Sequence, residues 1–286
     1  MLALVHRFFE QRGAVFGAVL VVVLLLVAVV GPWLATSPYA LDIDHGLSVH
    51  GAPLPPSSAA LLGTDQLGRD VWARLANGAG TSLWIASVAT ALAVASGLAV
   101  GLVAGYAGGR TDEVVMRLAD LALAFPFLLF AILLAALLRQ SSLATTNAPV
   151  IVPLAVVGWT AAARLIRAKV LVLARSEHVI AARVLGASTA RIMLHHLLPN
   201  VIGTLAVVAA FNFAQNLLAE SVLSYLGLGA PPPAPTWGRM LFEGRAYYRT
   251  APWLVLAPGL AIVLAVAAFN LLGEGLRTRF DPRGRP

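Results

Sequence analysis

Four polar side chains lie within an otherwise apolar stretch in the last third of the chain: Asn212, Gln215, Asn216 and Glu220. Residues 212, 216 and 220 are four apart, so a helix would place them on one face. In a membrane-spanning helix such a face cannot point at lipid, because unpaired amides and carboxyls are costly there. It must hydrogen-bond neighbouring helices or line a water-filled path, and the sequence favours neither role over the other.

The motifs of common catalytic sites are absent from the sequence. There is no G-x-x-x-x-G-K-[ST] loop, and the only lysine, Lys169, does not follow a glycine loop, so the chain is not expected to hydrolyse ATP. HExxH and GxSxG are also missing, which counts against a metalloprotease or a serine hydrolase. With no cysteine and no ligand pattern among the histidines, we predict no catalytic, cofactor or metal site in this chain.

A polar, arginine-bearing segment from Glu177 to Pro199 separates two strongly apolar runs. Apolar and small residues recur at helical spacing before Gly186, and a glycine can end a helix in the left-handed conformation. The hydroxyl of Ser188 or Thr189 can then cap a second short helix that runs to Pro199. The sequence predicts a short helix, a turn and a second short helix, which together form a docking segment on one side of the membrane.

The composition is that of an integral membrane protein. Of 286 residues, 59% are hydrophobic and 12% are charged, and the mean hydropathy is +0.84. A net charge of +7 would favour nucleic-acid binding in a soluble protein, but membrane topology explains these arginines. We therefore expect a lipid bilayer, and no nucleic acid, around this chain.

Six apolar runs are long enough to cross a bilayer. The first, at residues 14–36, is longer than a signal-peptide core and more spans follow it, which favours an uncleaved helix over a secretory signal. The other five lie at about residues 82–106, 114–138, 150–170, 200–218 and 252–272. Pro126 should kink the third of the six spans.

Two features of these runs predict how the helices pack. Gly97, Gly101 and Gly105 recur every four residues, and such faces let backbones approach closely in lipid. Asp120 lies three residues after Arg117. Because an ionised carboxylate near lipid should be paired, we expect these two side chains to form a salt bridge.

A polar loop at residues 37–80 links the first two spans. Its segment GTDQLGRDVWARL places carboxylates and arginines near helical spacing, which predicts a short helix with local ion pairs. The charged residues of this segment are Asp65, Arg69, Asp70 and Arg74. We interpret the helix as a structural connector rather than a substrate site.

The distribution of basic residues orients the spans. With six spans, both termini and the docking segment lie on the same side of the membrane. Fourteen of the twenty lysines and arginines lie on that side, and six lie on the other. The positive-inside rule then places both termini and the docking segment in the cytoplasm.

Several motifs resemble one protein family. Positions typical of the EAA loop of ABC importer permeases are Ala181, Ala182, Gly186, Leu198 and Pro199. Ile180 stands where that motif has its leading glutamate, with Glu177 one turn earlier. Further matches are GTDQLGRDVWARL, LAFP, AESVLSYLGLG, PTWGRML and FNLLGEGLR. In combination they resemble the C-type permease of bacterial dipeptide and oligopeptide importers over nearly the whole chain.

The resemblance implies a type I ABC importer permease fold: an all-α membrane protein of six transmembrane helices, with a cytoplasmic coupling helix between the fourth and fifth. The ATPase-docking residues it implies are Glu177, Ala181, Ala182, Gly186, Ala187, Ser188, Leu198 and Pro199. The implied layout is a cytoplasmic tail at 1–13, a first helix at 14–36, an extracytoplasmic loop at 37–80, a five-span core at 81–273 and a cytoplasmic tail at 274–286.

The resemblance also implies the partners and the function. The partners are a homologous second permease, two cytoplasmic ATPases that bind ATP and magnesium, and an extracytoplasmic substrate-binding protein. The chain would form the path for peptides in an ATP-driven importer of the bacterial inner membrane, with nickel chelates, opines or glycan-linked peptides as alternative cargoes. A gradient-driven secondary transporter or channel is the alternative of another class. It predicts inverted repeats, broken helices and paired membrane carboxylates, of which the sequence shows only Asp120 and Glu220.

Overall fold

The computed structural model describes residues 11–280, where the protein consists of helices, turns and two isolated bridges without any strand. The helices are α1 Arg12–Leu34, α2 Val71–Ala107, α3 Gly109–Ala124, α4 Phe127–Leu138, α5 Ala148–Leu173, α6 Glu177–Val184, α7 Thr189–Arg191, α8 Leu198–Tyr225, α9 Trp237–Gly244 and α10 Trp253–Phe280. A π-helical turn, Ile192–Leu197, joins α7 to α8, and a 3₁₀ turn, Arg245–Tyr247, follows α9.

Within residues 11–280, five continuous helical stretches are long and apolar enough to cross a membrane: α1, α2, α5, the rod from Thr189 to Tyr225, and α10. Helices α3 and α4 pass the same test only as a pair, which would be a sixth span. The all-α membrane fold expected from the sequence is therefore confirmed. The expected terminal tails lie partly outside the described residues, and α10 continues to Phe280 rather than ending at residue 273.

The third span is broken at Pro126, where the sequence predicted only a kink. Helices α3 and α4 meet at 88°. Neither Phe125 nor Pro126 has a helical backbone, since their ψ angles are 139° and 121°. The proline ring disfavours the helical conformation of the residue before it and supplies no N–H, so α3 ends at Ala124.

The expected short helix between the first two spans is not a separate element. Residues before Asp70 form turns, and α2 then runs without a break from Val71 to Ala107. The Asp70 carboxylate caps it by accepting the backbone N–H of Trp72 at 2.9 Å. The first turns of α2 already pack in the core, with Val71 and Ala76 buried, so the helix has no reason to stop before the apolar span begins.

Helix α2 runs through the centre of the bundle and packs against α1, α5 and α8. Gly97, Gly101 and Gly105 of α2 face α5. A Cβ built on Gly101 would lie 2.7 Å from the carbonyl oxygen of Ala163, and the other two positions are as tight. Carbon atoms normally keep about 3.5 Å apart, so only glycine permits this approach.

The carboxylate of Asp120 does not pair with Arg117, contrary to the sequence-based prediction. It accepts a hydrogen bond from Arg164 of α5, while Arg117 pairs with the glutamate four residues before it. Asp112, two turns before Asp120, accepts two hydrogen bonds from Arg167. Both aspartates face α5 and pair with arginines of that helix. Asp120 therefore pairs with Arg164 instead of its neighbour in sequence, Arg117.

Candidate functional site

Helix α6 ends at a glycine turn, in agreement with the sequence-based prediction. Gly186 has a φ of 83°. Its N–H donates to the carbonyl of Arg183, and the N–H of Ala187 donates to the carbonyl of Ala182, both at 3.0 Å. This pair of bonds is the usual end of a helix terminated by glycine. No atom of the described residues lies within 4 Å of a Cβ built on Gly186, so the backbone conformation, not lack of space, favours glycine here.

The second half of the docking segment continues into the next span instead of stopping at Pro199. The Ser188 hydroxyl caps α7 by accepting the N–H of Arg191 at 3.3 Å. After the π-helical turn, the N–H of Leu198 donates to the carbonyl of Met193, five residues back. Proline provides no N–H, and this shift of register just before it lets the helix pass through without a sharp break.

The docking segment is anchored firmly on the ends of α2 and α5. Its buried apolar residues, Val179, Ile192 and Leu197, belong to one cluster with Leu102 and Ile166. The Arg183 guanidinium lies 5.3 Å from the centre of the Tyr106 ring, which adds a cation–π contact to α2. Motion of α6 should therefore be transmitted to the spans rather than absorbed by a loose loop.

The outer side of α6 presents large apolar side chains to solvent. Ile180, Val184 and Leu185 are 49%, 81% and 86% exposed. Of the docking residues implied by the resemblance, the exposed ones are Glu177, Ala181, Gly186, Ser188 and Pro199, and the half-buried ones are Ala182, Ala187 and Leu198. Exposed apolar groups that are clustered on a rigid helix are typical of a protein-binding surface.

On the polar face of α8, two amides hydrogen-bond neighbouring helices. The Asn216 Nδ2 donates to the hydroxyl of Thr90 on α2 and to Oδ1 of Asn212, both at 3.0 Å. The Asn212 Nδ2 donates to the carbonyl of Gly158 on α5 at 3.1 Å. Interhelical bonding thus accounts for these two residues.

The Glu220 carboxyl group is fully buried and surrounded by hydroxyl groups. Ser224 donates to its Oε1 at 2.6 Å, Ser221 lies 3.5 Å from its Oε2, and Ser82 of α2 is a further partner. Within residues 11–280 no cationic side chain is within salt-bridge distance of this group. The pattern of polar residues at four-residue spacing marked Glu220, but nothing in the sequence identified the three serines as its partners.

The fourth polar residue, Gln215, is exposed and lines a cavity of about 580 Å³ between α5, α8 and α10. Asn212 reaches the same cavity. Asn270 and Arg277 of α10 also line it, and sequence reasoning missed both. Both residues belong to the FNLLGEGLR motif. That motif supported the family resemblance, but nothing in it indicated that these side chains line a cavity.

A cluster of charged residues lies at the end of the bundle opposite the docking segment, and we call it the charged cluster: Asp65, Arg69, Arg74, Arg239 and Glu243. The Arg74 Nη1 lies 2.6 Å from Asp65 and 2.7 Å from Glu243. Arg69 contacts the same two carboxylates at 2.7 and 3.2 Å. Arg239 contacts Glu243 at 2.9 Å. The sequence predicted the local pairs but missed Glu243, which is 169 residues from Arg74.

The charged cluster should make stability depend on pH through Glu243. Burial raises the pKa of the Glu243 carboxyl, but the charges and hydrogen bonds of its three arginines outweigh burial and leave that pKa below its ordinary value. A carboxyl with a lowered folded pKa stabilises the fold above its unfolded pKa of about 4.3, and this stabilisation is lost as pH falls through the folded pKa.

We therefore expect Glu243→Gln to lower the thermal unfolding temperature at pH 7, and to lower it by less at about pH 3, because at a pH below the unfolded pKa of about 4.3 part of the stabilisation from the ionised carboxyl is already lost. The measurement is thermal unfolding of the purified protein between these pH values. Glu113→Gln, at an exposed ion pair, is the control and should change little at either pH. An equal gap between Glu243→Gln and the native chain at both pH values would contradict the assignment.

Comparison with known proteins identifies the family. Residues 97–286 match the family described as binding-protein-dependent transport system inner membrane component, and residues 3–56 match the N-terminal TM domain of oligopeptide transport permease C. The chain is 37% identical to the dipeptide transport system permease protein DppC of Alkalihalophilus pseudofirmus, over 96% of this chain and 87% of that protein. It is 35% identical to the oligopeptide transport system permease protein OppC of Bacillus subtilis, over 98% and 88%. The chain therefore belongs to the family of binding-protein-dependent transport system inner membrane components.

Proposed function

We propose that this chain is one permease subunit of an ATP-driven importer of peptides, and that the docking segment binds the ATPases that supply the energy. The observation that carries the proposal is the outer side of α6. Its three large apolar side chains are exposed, while the inner side of the same segment is buried against α2 and α5. A rigid helix of this kind can bind a partner and transmit its motion to the spans.

The orientation follows from the arginines. In this proposal the docking segment and both termini are cytoplasmic, and the charged cluster lies on the extracytoplasmic side, where a substrate-binding protein delivers cargo. ATP and magnesium bind to the two ATPase subunits, and this chain binds neither. Peptides are the proposed cargo because the similar chains are named as permeases for dipeptides and oligopeptides.

A second permease would complete the translocation path. The cavity lined by Gln215 is open on one side in this single chain. A homologous subunit placed against that side would enclose a path between the two chains, with polar groups set in a mainly apolar lining. Gln215, Asn270 and Arg277 are among the polar residues of this chain that such a path would expose to cargo.

One observation favours the rival class, a gradient-driven transporter, because the pair α3–α4 is a broken helix. The carboxylates of that region do not form a relay, however. Asp112 and Asp120 are each paired with an arginine of α5. Pro126 together with the separate contacts of α3 and α4 with α5 accounts for the break, so the broken helix does not require an ion-coupling site.

Uptake by the reconstituted complex tests the proposal. The chain, its second permease, the ATPases and the binding protein are placed in proteoliposomes, and uptake of a labelled dipeptide is measured. We expect uptake to require hydrolysable ATP on the side of the docking segment and to persist when the proton gradient is dissipated. Uptake that continues without ATP and stops when the gradient is dissipated would show a secondary transporter instead.

A further inference from the structure

A second, smaller cavity lies at the extracytoplasmic end of α8 in the proposed orientation. Its volume is about 210 Å³. Two arginines line it, Arg139 at the end of α4 and Arg239 of α9. Phe242 and Pro232 form part of its wall.

The Arg139 guanidinium lacks partners for most of its five N–H donors. Its Nε is buried and has no hydrogen-bond partner among residues 11–280, and Nη1 lies 3.5 Å from the carbonyl oxygen of Ala144. Burial and the charge of nearby Arg239 both lower the pKa of Arg139. A partly buried cation beside a second cation is unfavourable unless an anion joins them.

The charged residues near the cavity have a net positive charge, which favours binding of an anion. The charged cluster contains three arginines and two carboxylates, and Arg139 raises the arginines to four against the same two carboxylates. Glu243 also lines the cavity, but it already contacts three arginines and is fully engaged. Among the charged residues that line the cavity itself, Arg139 and Arg239 face Glu243 alone, which leaves one uncompensated positive charge there.

We propose that Arg139 and Arg239 bind the C-terminal carboxylate of a cargo peptide as it enters from the extracytoplasmic side. This inference rests on the proposed function. A guanidinium matches a carboxylate with two parallel hydrogen bonds, and Arg139 has free donors for them. A cavity of 210 Å³ equals the volume of about seven waters, which suits a carboxylate with a small residue but not a lipid with its acyl chains. Every unmodified peptide carries this group, so the site would recognise cargo whatever its side chains.

Thiol labelling at the cavity wall tests the site directly, because the chain has no cysteine of its own. Phe242→Cys is the reporter, with Pro232→Cys as a second reporter in case the first does not fold. The full chain is purified with its permease and ATPase partners, without the binding protein. The rate of labelling of this chain is then followed by mass spectrometry with dialanine, with dialaninamide and with acetate.

We expect dialanine to protect the reporter. Labelling slows by the factor 1 + [L]/Kd, so ~10 mM dialanine with a Kd of ~1 mM slows it about tenfold. Dialaninamide, which lacks the carboxylate, should slow it less than about twofold. Adding Arg139→Gln should remove the protection by dialanine, whereas Arg249→Gln, an exposed arginine outside the cavity wall, should leave it unchanged.

Several results would overturn the proposal. Equal protection by dialanine and its amide, no protection by either, or protection that survives Arg139→Gln would each exclude a carboxylate site at Arg139. Protection by acetate equal to that by dialanine would point to a site for any carboxylate, such as an acidic side chain of a partner protein. Labelling requires neither ATP nor uptake, so these outcomes are separate from a failure of the proposed transport function.

Discussion

Gly186→Val is expected to reduce peptide uptake by about 5-fold to 150-fold while the chain still inserts and stays folded. The backbone of Gly186 has a φ of 83°, where a β-branched residue is strained by about 1–3 kcal/mol. Since ~1.4 kcal/mol is a factor of ten in an equilibrium, this strain can shift the docking turn out of its functional conformation. Within the described part of the chain no neighbouring atom is close enough to clash, so the effect is expected to be confined to the turn.

The measurement is ATPase binding, substrate-stimulated ATP hydrolysis and uptake by the reconstituted complex. Gly186→Asn is the matched control, because asparagine tolerates the left-handed conformation better than other residues, and it should retain most activity. If Gly186→Val supports normal stimulated hydrolysis and normal uptake, this turn has no part in coupling.

Gly101→Leu is expected to prevent stable packing of α2 against α5. A Cβ at this position already lies 2.7 Å from the carbonyl oxygen of Ala163 and 2.9 Å from the Cβ of Ile166. Backbone atoms cannot move aside without separating the two helices along their contact. Overpacking of this kind costs about 1–3 kcal/mol in soluble cores, and leucine adds three more carbons to the clash.

The readout is the thermal stability of the chain in detergent and its recovery with the partner permease. Gly80→Ala in the same helix is the control, because its nearest contact is an ordinary 3.6 Å to the carbonyl of Ala28. That change should be neutral or stabilising by about 0.5–1 kcal/mol, since alanine is the better helix former. Native stability of Gly101→Leu would show that α2 and α5 are not held at the separation observed.

The features that the sequence predicted well depend on residues that are close along the chain. The turn at Gly186, the cap at Ser188 and the small-residue face of α2 each follow from spacing within a few residues. Long apolar runs likewise predicted the spans, because twenty apolar residues have few other stable conformations. These local signals were sufficient for the fold class and for the shape of α6.

Contacts between distant residues could not be predicted in the same way. Asp120 had a local partner three residues away, yet α3 turns that side chain toward Arg164 of α5. Glu243 completes the charged cluster from α9, and no periodicity links it to Arg74. The serines around Glu220 come from α2 and α8 together, so only the packed helices bring them into contact.

The angle of the bend at Pro126 also could not be predicted from the sequence. A proline in a helix permits a modest kink or a complete interruption, and the choice depends on what the two halves contact. Here α3 forms two ion pairs with α5, at Asp112 and Asp120, and α4 packs against α5 with its own apolar side. Separate anchors for the two halves are compatible with the 88° bend.

Labelling of Ser188→Cys tests most directly the central claim that the docking segment is cytoplasmic and binds the ATPases. Ser188 is exposed at the start of α7, and this chain contains no other cysteine. We predict that a membrane-impermeant thiol reagent leaves it unlabelled in intact cells, labels it in inside-out vesicles, and labels it more slowly when the ATPases are bound. Labelling from outside intact cells would contradict the orientation, and labelling in vesicles that bound ATPases do not slow would contradict the docking role.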